Sequence, residues 1–193
     1  MGRIYYLLGK SATGKDTLYK EILKRRPKLR TVTMYTTRPI REGETDGVEY
    51  FFTGREELER QLASGKGVES RTYQTIAGPW TYYTVDDGQF NVADDESCLM
   101  IGTLESYEKM CTYFESGKMV PVYIEVPDGI RLLRAVKREE NQKKPNYREV
   151  CRRYLADEKD FSEENLERLG VTKRYQNTDM EICVEEILRD LDK

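Results

Sequence analysis

The chain has 193 residues, 38% of them hydrophobic, and a formal charge of −3 from 32 Lys and Arg against 35 Asp and Glu; this suits one domain with a substantial core and supplies no basic field to hold phosphodiester backbones or acidic membranes. It contains no histidine, which excludes Ser-His-Asp and Cys-His catalysis and histidine-bound zinc. No apolar run approaches the roughly 20 residues that cross a bilayer, and MGRIYYLLGK has no small-residue cleavage site after its brief apolar stretch, so the expectation is a cytoplasmic protein with neither nucleic acid nor membrane as partner.

In chain order, Ile4 to Leu8 is a short apolar run, followed by a glycine-containing loop and by Leu18, Ile22 and Leu23 at helical spacing up to Pro27. That pattern predicts strand, loop, helix. From Thr31 to Thr84 glycines punctuate often, Val48, Tyr50 and Phe52 alternate as in a strand, and Leu58 and Leu62 mark a short helix. This segment reads as an α+β insertion. Cys98 to Ile101 predicts a second buried strand, and Leu104, Tyr107, Cys111 and Phe114 outline a helix with Gly117 placed to cap it. Val120 to Val126 is a third strand, ended by Pro127, and Ile130, Leu133 and Val136 lie on the next helix. The charged stretch EENQKKPN reads as a mobile loop before a helical face of Val150, Cys151, Tyr154 and Leu155. A strand near Val171 to Tyr175 and a last helix carrying Met180, Val184, Ile187, Leu188 and Leu191 follow. Strands alternating with helices predict an α/β fold whose parallel sheet is covered on both faces.

The four cysteines, Cys98, Cys111, Cys151 and Cys183, are scattered and form no C-x-x-C pair, so they read as reduced core or boundary thiols. The chemistry left to the chain is that of Lys, Arg, Asp, Glu, hydroxyls and backbone amides.

Between the first strand and helix stands Gly9-Lys10-Ser11-Ala12-Thr13-Gly14-Lys15-Asp16-Thr17, which matches G-x-x-x-x-G-K and has Asp where a hydroxyl residue is usual. Glycines permit the turn that aims successive N–H groups at phosphate oxygens, and the following helix adds the positive end of its dipole. Lys15 is then the point charge at the β- and γ-phosphates, and Asp16 and Thr17 compete as ligand of Mg²⁺.

Downstream, Tyr35-Thr36-Thr37-Arg38-Pro39-Ile40-Arg41-Glu42-Gly43-Glu44 precedes Asp46-Gly47-Val48-Glu49-Tyr50. Two arginines three residues apart with a tyrosine soon after suit a phosphate monoester dianion, through guanidinium forks and a phenol donor; a charged surface turn accounts for the same residues without a ligand.

With the phosphate loop, this segment closely resembles guanylate kinase, whose monophosphate-binding insert carries T-T-R-x-x-R-x-G-E-x-x-G-x-x-Y, matched by Thr36, Thr37, Arg38, Arg41, Gly43, Glu44, Gly47 and Tyr50. The resemblance implies a P-loop three-layer α/β fold over 1–193, with core 1–33, 85–134 and 154–193, monophosphate-binding insert 34–84 and helical lid 135–153. It implies that Gly9, Lys10, Ser11, Ala12, Thr13, Gly14, Lys15, Asp16, Thr17 and Asn177 bind ATP, and that Arg38, Arg41, Glu44, Tyr50, Glu69, Tyr82 and Thr84 bind GMP, with Glu69 on the guanine. Arg134, Arg138 and Arg153 fit the arginines of the lid and adjoining core, which join Lys15 in catalysis. The activity implied is ATP- and Mg²⁺-dependent phosphorylation of GMP or dGMP. The sequence departs from the family at Met34, usually a serine that helps hold the base, at Gly102-Thr103, where Asp-Ile-Asp ends a strand, and at Tyr82-Tyr83-Thr84, where the family has Tyr-Gly-Ser/Thr. Two other readings stay open: a related small-molecule kinase resembling ribose 1,5-bisphosphate phosphokinase, for which Gly-Lys-Asp speaks, and a catalytically silent guanylate-kinase-like domain that binds proteins.

Overall fold

A computed structural model describes residues 2–41, 43–75, 78–90, 96–114 and 117–192. The fold is mixed α/β, with parallel strands flanked by helices, as the alternation of elements predicts. The chain divides into two compact units, one of residues 1–4, 29–100 and 106–119, the other of 5–28, 101–105 and 120–193.

β1 (Ile4–Leu8), which lies in the second unit from Tyr5 onward, is buried at every residue. An unbroken apolar run of this kind is what a strand covered on both faces requires. The phosphate-loop sequence leads into α1 (Lys15–Arg25), which buries Leu18 and Ile22 and stops before Pro27, a residue that disfavours helical geometry in its predecessor. β8 (Met119–Glu125) lies between β1 and β9 (Arg174–Gln176), and β8 and β9 pair in parallel. α4 (Asp128–Glu140) and α5 (Tyr147–Asp160) are joined by the expected charged loop, and Asn146 caps α5 by accepting from the Glu149 amide. The short α6 (Glu163–Arg168) is capped by Ser162. α7 (Met180–Leu191) starts on Asp179, whose carboxylate accepts from two helix amides, and buries Cys183, Val184, Ile187 and Leu188. Arg25 bridges from α1 to Glu181 and Glu185 of α7.

β2 (Arg30–Thr31) pairs in parallel with β7 (Cys98–Ile101) through Cys98 and Leu99, and α3 (Leu104–Tyr113) follows; the first unit holds β2, these paired residues and α3 from Ser106 onward. A four-stranded sheet has the order β4 (Phe51–Phe52), β3 (Tyr35–Thr36), β6 (Gly78–Val85), β5 (Gly67–Thr75). α2 (Arg55–Ala63) follows β4.

Several expectations are corrected. Val48 is 66% exposed and sits in a turn rather than a strand, because Gly47 takes φ +79° and its amide reaches the Tyr50 carbonyl. The predicted strand near Val171 to Tyr175 starts later, since the Val171 amide instead caps α6 through the Leu166 carbonyl. Of the expected α5 face only Val150 is buried, and Leu155 and Cys151 are exposed. Cys98 and Cys183 are buried, as expected of core thiols. Gly117 has φ +91°, but the capping expected of it runs through residues 115–116, outside the described residues. No helix among the described residues is long and apolar enough to cross a membrane.

Candidate active site

The two candidate clusters fall one in each unit. In the second unit, the loop between β1 and α1 is shaped by close approaches. Gly9 has φ +152°, and a Cβ there would stand 2.5 Å from the Ile124 carbonyl oxygen; at Gly14, with φ +87°, it would stand 2.6 Å from the Asn177 amide nitrogen. Both positions therefore require glycine. Ala12 also adopts positive φ, at 63°, a conformation costing an L-residue roughly 1–2 kcal/mol and one of the kind found where successive amides form an anion-binding concavity.

Lys15, half-buried, turns its ammonium inward to the carbonyls of Gly9 at 2.6 Å and Lys10 at 3.0 Å. Burial holds its pKa down to about 8, against the opposing pull of Asp16 and then Asp157. Two acidic side chains of α5 already engage the loop. Asp157 accepts from the Ser11 amide at 2.7 Å, and Glu158 accepts from Lys10 Nζ at 2.7 Å. Both also take bonds from Arg131, which is 1% exposed, pairs with Asp128 at 2.7 Å and lies 4.3 Å from the Tyr154 ring centroid. The loop thus holds carboxylates on donors of the kind that grip phosphate.

Arg131 is a residue that sequence reasoning missed. It stands at i−3 and i−7 to Arg134 and Arg138, a spacing that puts all three on one helix face, and that spacing was the available signal. Arg134 donates to the Asn177 carbonyl at 3.1 Å, while the Asn177 side chain, buried, donates to the Thr13 carbonyl at 2.7 Å. Asn177 therefore braces the phosphate loop from behind. Arg138 and Arg153 line one cavity of about 190 Å³ with Ser11, Arg131, Glu149 and Tyr154, and Arg153 pairs with Glu149 at 2.8 Å. Asp16 and Thr17 are exposed on the first turn of α1.

In the first unit, β3 delivers Arg38 to a site that leaves its side chain 2% exposed. Its guanidinium pairs with both oxygens of Glu44, at 3.0 and 2.8 Å, and donates to the Pro39 carbonyl at 2.8 Å. The Arg38 bond holds the Glu44 carboxyl below the usual carboxylate range, and the Arg41 amide adds to this at 2.8 Å. Tyr50 and Phe52 flank the guanidinium with ring centroids at 5.6 and 5.4 Å, and the Tyr82 ring lies 5.5 Å from that of Tyr50. Arg38, Glu44, Tyr50 and Tyr82 thus come together, with Arg41 exposed at the rim. Among the described residues, Arg38 Nε is buried and has no hydrogen-bond partner.

Glu69 and Thr84 face each other across β5 and β6, and the Thr84 hydroxyl donates to Glu69 at 2.9 Å. Arg71, which sequence reasoning did not single out, forks onto the same carboxylate at 2.9 and 3.3 Å. Both residues lie in a segment with no apolar alternation to announce a strand.

Residues 1–82 match the family model described as guanylate kinase. A guanylate kinase of Symbiobacterium thermophilum is 44% identical over 68 residues, covering 35% of this chain and 32% of that protein. One from Trichormus variabilis is 34% identical over 134 residues, 69% of this chain and 54% of that protein. The chain thus spans between a third and about half of the length of these relatives. The crystal structure of guanylate kinase from Anaplasma phagocytophilum superposes with a TM-score of 0.67 at 20% identity, covering 99% of this chain and 85% of that one. Residues 1–82 are thus similar in sequence to guanylate kinase, and nearly the whole chain shares the fold of the Anaplasma phagocytophilum protein.

Proposed function

We propose that the chain transfers the γ-phosphoryl group of ATP to the phosphate of GMP or dGMP, giving ADP and GDP or dGDP. The observation that carries this reading is Arg38, buried between aromatic rings with an Nε–H that meets no acceptor among the described residues. A buried donor left unmet costs about 1–3 kcal/mol, and a phosphate oxygen is the acceptor that removes the cost. Arg41 and the phenols of Tyr50 and Tyr82 complete the grip on a dianion, with Glu44 fixing the Arg38 fork.

Because the acceptor oxygen is already anionic, no general base is required, and catalysis rests on alignment and on neutralising the charge that spreads over the transferring group. The loop amides and Lys15 hold the donor phosphates, displacing Asp157 from Ser11 and Glu158 from Lys10. Asn177 keeps the loop in shape. Arg134, Arg138 and Arg153 belong to the lid and its hinge and bring further positive charge on closure, which also excludes water. Asp16 and Thr17 offer exposed oxygen donors that fit Mg²⁺, an ion that takes few protein ligands and keeps several waters beside substrate phosphates. When bound, Mg²⁺ supplies charge neutralisation at the β- and γ-phosphate oxygens.

A second reading takes a sugar bisphosphate as acceptor, since Arg71 already engages the carboxylate expected to read guanine. Coupled ADP release with GMP, dGMP, AMP, CMP, UMP and ribose 1,5-bisphosphate decides between them. Turnover with GMP and dGMP is expected. Turnover with the sugar bisphosphate and none with GMP overturns the proposal, and the absence of ADP release with every acceptor in the panel favours a silent binding domain.

The donor site makes a separate prediction. Lys15 serves as an ammonium, and its pKa in the free protein is about 8. The kcat/KM for ATP, which reports groups of the free enzyme, is therefore expected to fall as pH rises through about 8. The limb should vanish in Lys15→Arg, whose side chain stays charged; a profile flat to pH 9 in wild type contradicts the assignment.

A further inference from the structure

We infer that Arg71 is a specificity-determining residue of the acceptor site, an internal guanidinium that competes with guanine for Glu69. The inference rests on the GMP reading above. Its basis is strand geometry. Glu69 and Arg71 stand two apart on β5, so the period of two puts both on one face of the sheet, opposite Thr84 and Tyr82 of β6. On that face Arg71 Nε donates to Glu69 Oε2 at 2.9 Å and Nη2 to Oε1 at 3.3 Å, with Thr84 on Oε1 at 2.9 Å. The side chains of Arg71 and Glu69 are 5% and 0% exposed. The Arg71 Nη2 lies 3.7 Å from Met34 Sδ.

Guanine offers a carboxylate two parallel donors, the N1–H and one hydrogen of the exocyclic N2 amine. The Nε–H and Nη2–H of an arginine make the same two-donor fork at the same spacing. A carboxylate has one edge that accepts such a fork across both oxygens, so guanine and Arg71 are mutually exclusive on Glu69. Guanine gains the edge only by turning Arg71 away, which separates a buried charge pair and takes back much of what the base contacts contribute. Acceptor affinity then comes chiefly from the phosphate grip of Arg38 and its neighbours, and discrimination by the base is blunted. Adenine, with an unprotonated N1 and no amine beside it, cannot displace Arg71 at all.

The test is Arg71→Met, which keeps bulk and apolar packing beside Met34 while removing the fork. Steady-state kinetics should show KM for GMP lowered at least tenfold, the GMP-to-AMP ratio of kcat/KM raised at least tenfold, and KM for ATP unchanged. A residue of structural importance alone does not produce this split. An unchanged KM for GMP overturns the inference, and a raised one does too, by making Arg71 a ligand of the base. If Arg71→Met shows no cooperative melt, Arg71→Lys serves in its place. Lysine keeps the charge but presents one donor centre, and KM for GMP should drop about threefold, with no drop overturning the inference. Wild type that releases no ADP with GMP sinks the GMP reading separately. In that case the competition stands if Arg71→Met gains GMP turnover and falls if it does not.

Discussion

Replacing Lys15 with methionine is expected to lower kcat at least 10³-fold, a barrier rise of about 4 kcal/mol, while leaving a folded protein. The loop does not depend on the lysine for its course. Gly9 and Gly14 are closely approached by the Ile124 carbonyl and the Asn177 side chain, and Asn177 donates to the Thr13 carbonyl. What the lysine adds is one ammonium, held among the loop carbonyls and desolvated there. That placement has a stability signature. The folded-state pKa of about 8 lies below the ordinary 10.5, so between these values the unfolded chain binds more protons and stability rises with pH. Below pH 8 the buried charge is carried at a cost that the methionine variant escapes. Between pH 7 and pH 10.5 the stability of wild type relative to Lys15→Met should therefore shift in favour of wild type, by at most about 3 kcal/mol at 1.36 kcal/mol per pKa unit. Denaturant melts of both proteins at the two pH values measure this. A kcat within tenfold of wild type would remove Lys15 from the donor site, and a pH-independent stability difference would show that the ammonium is not desolvated.

The parts of the site that were legible in the sequence are those whose physics is local. A phosphate loop needs glycines where the chain turns tightly and a lysine at its end, and these are neighbours in sequence, so Gly9 to Lys15 announces itself. The Arg38 to Tyr50 pattern is equally short, because one turn brings Glu44 onto Arg38 and the Arg41 amide. The residues missed are buried guanidiniums held by carboxylates, Arg131 and Arg71. Arg131 looks like one more cation on a charged helix until Asp157 and Glu158 arrive from α5. β5 carries Glu69, Ser70, Arg71 and Thr72 in succession, which reads as a loop when apolar alternation is the signal. Its inward face is polar because charge and hydroxyl satisfy one another across β5 and β6. The converse error is Val48, apolar and in phase with Tyr50 and Phe52, yet exposed because Gly47 turns the chain there.

That polar face makes Glu69→Ala the substitution with the largest expected cost to the fold. It leaves the Arg71 guanidinium buried without the carboxylate, and breaking one partner out of a buried pair costs about 3–5 kcal/mol. Thr84, 1% exposed, loses its acceptor as well. A total stability of about 5–15 kcal/mol leaves little margin, so the variant should melt far below wild type. Replacing both partners with apolar groups removes the orphaned charge, and Glu69→Ala with Arg71→Met should recover most of the loss. The difference between the double variant and the sum of the singles is the coupling of the pair. A Glu69→Ala that melts within 1 kcal/mol of wild type by urea titration, where such a difference is resolved, would mean that the pair is not buried in solution. Kinetics then separates the carboxylate's two duties. Arg71→Met should sharpen the preference for GMP over AMP, because Glu69 is freed for the base, whereas the double variant should lose that preference, because nothing remains to accept from N1–H and N2. If the double variant prefers GMP as strongly as Arg71→Met alone, selectivity does not pass through Glu69, and the guanine reading of this pocket fails even if the ion pair behaves as expected.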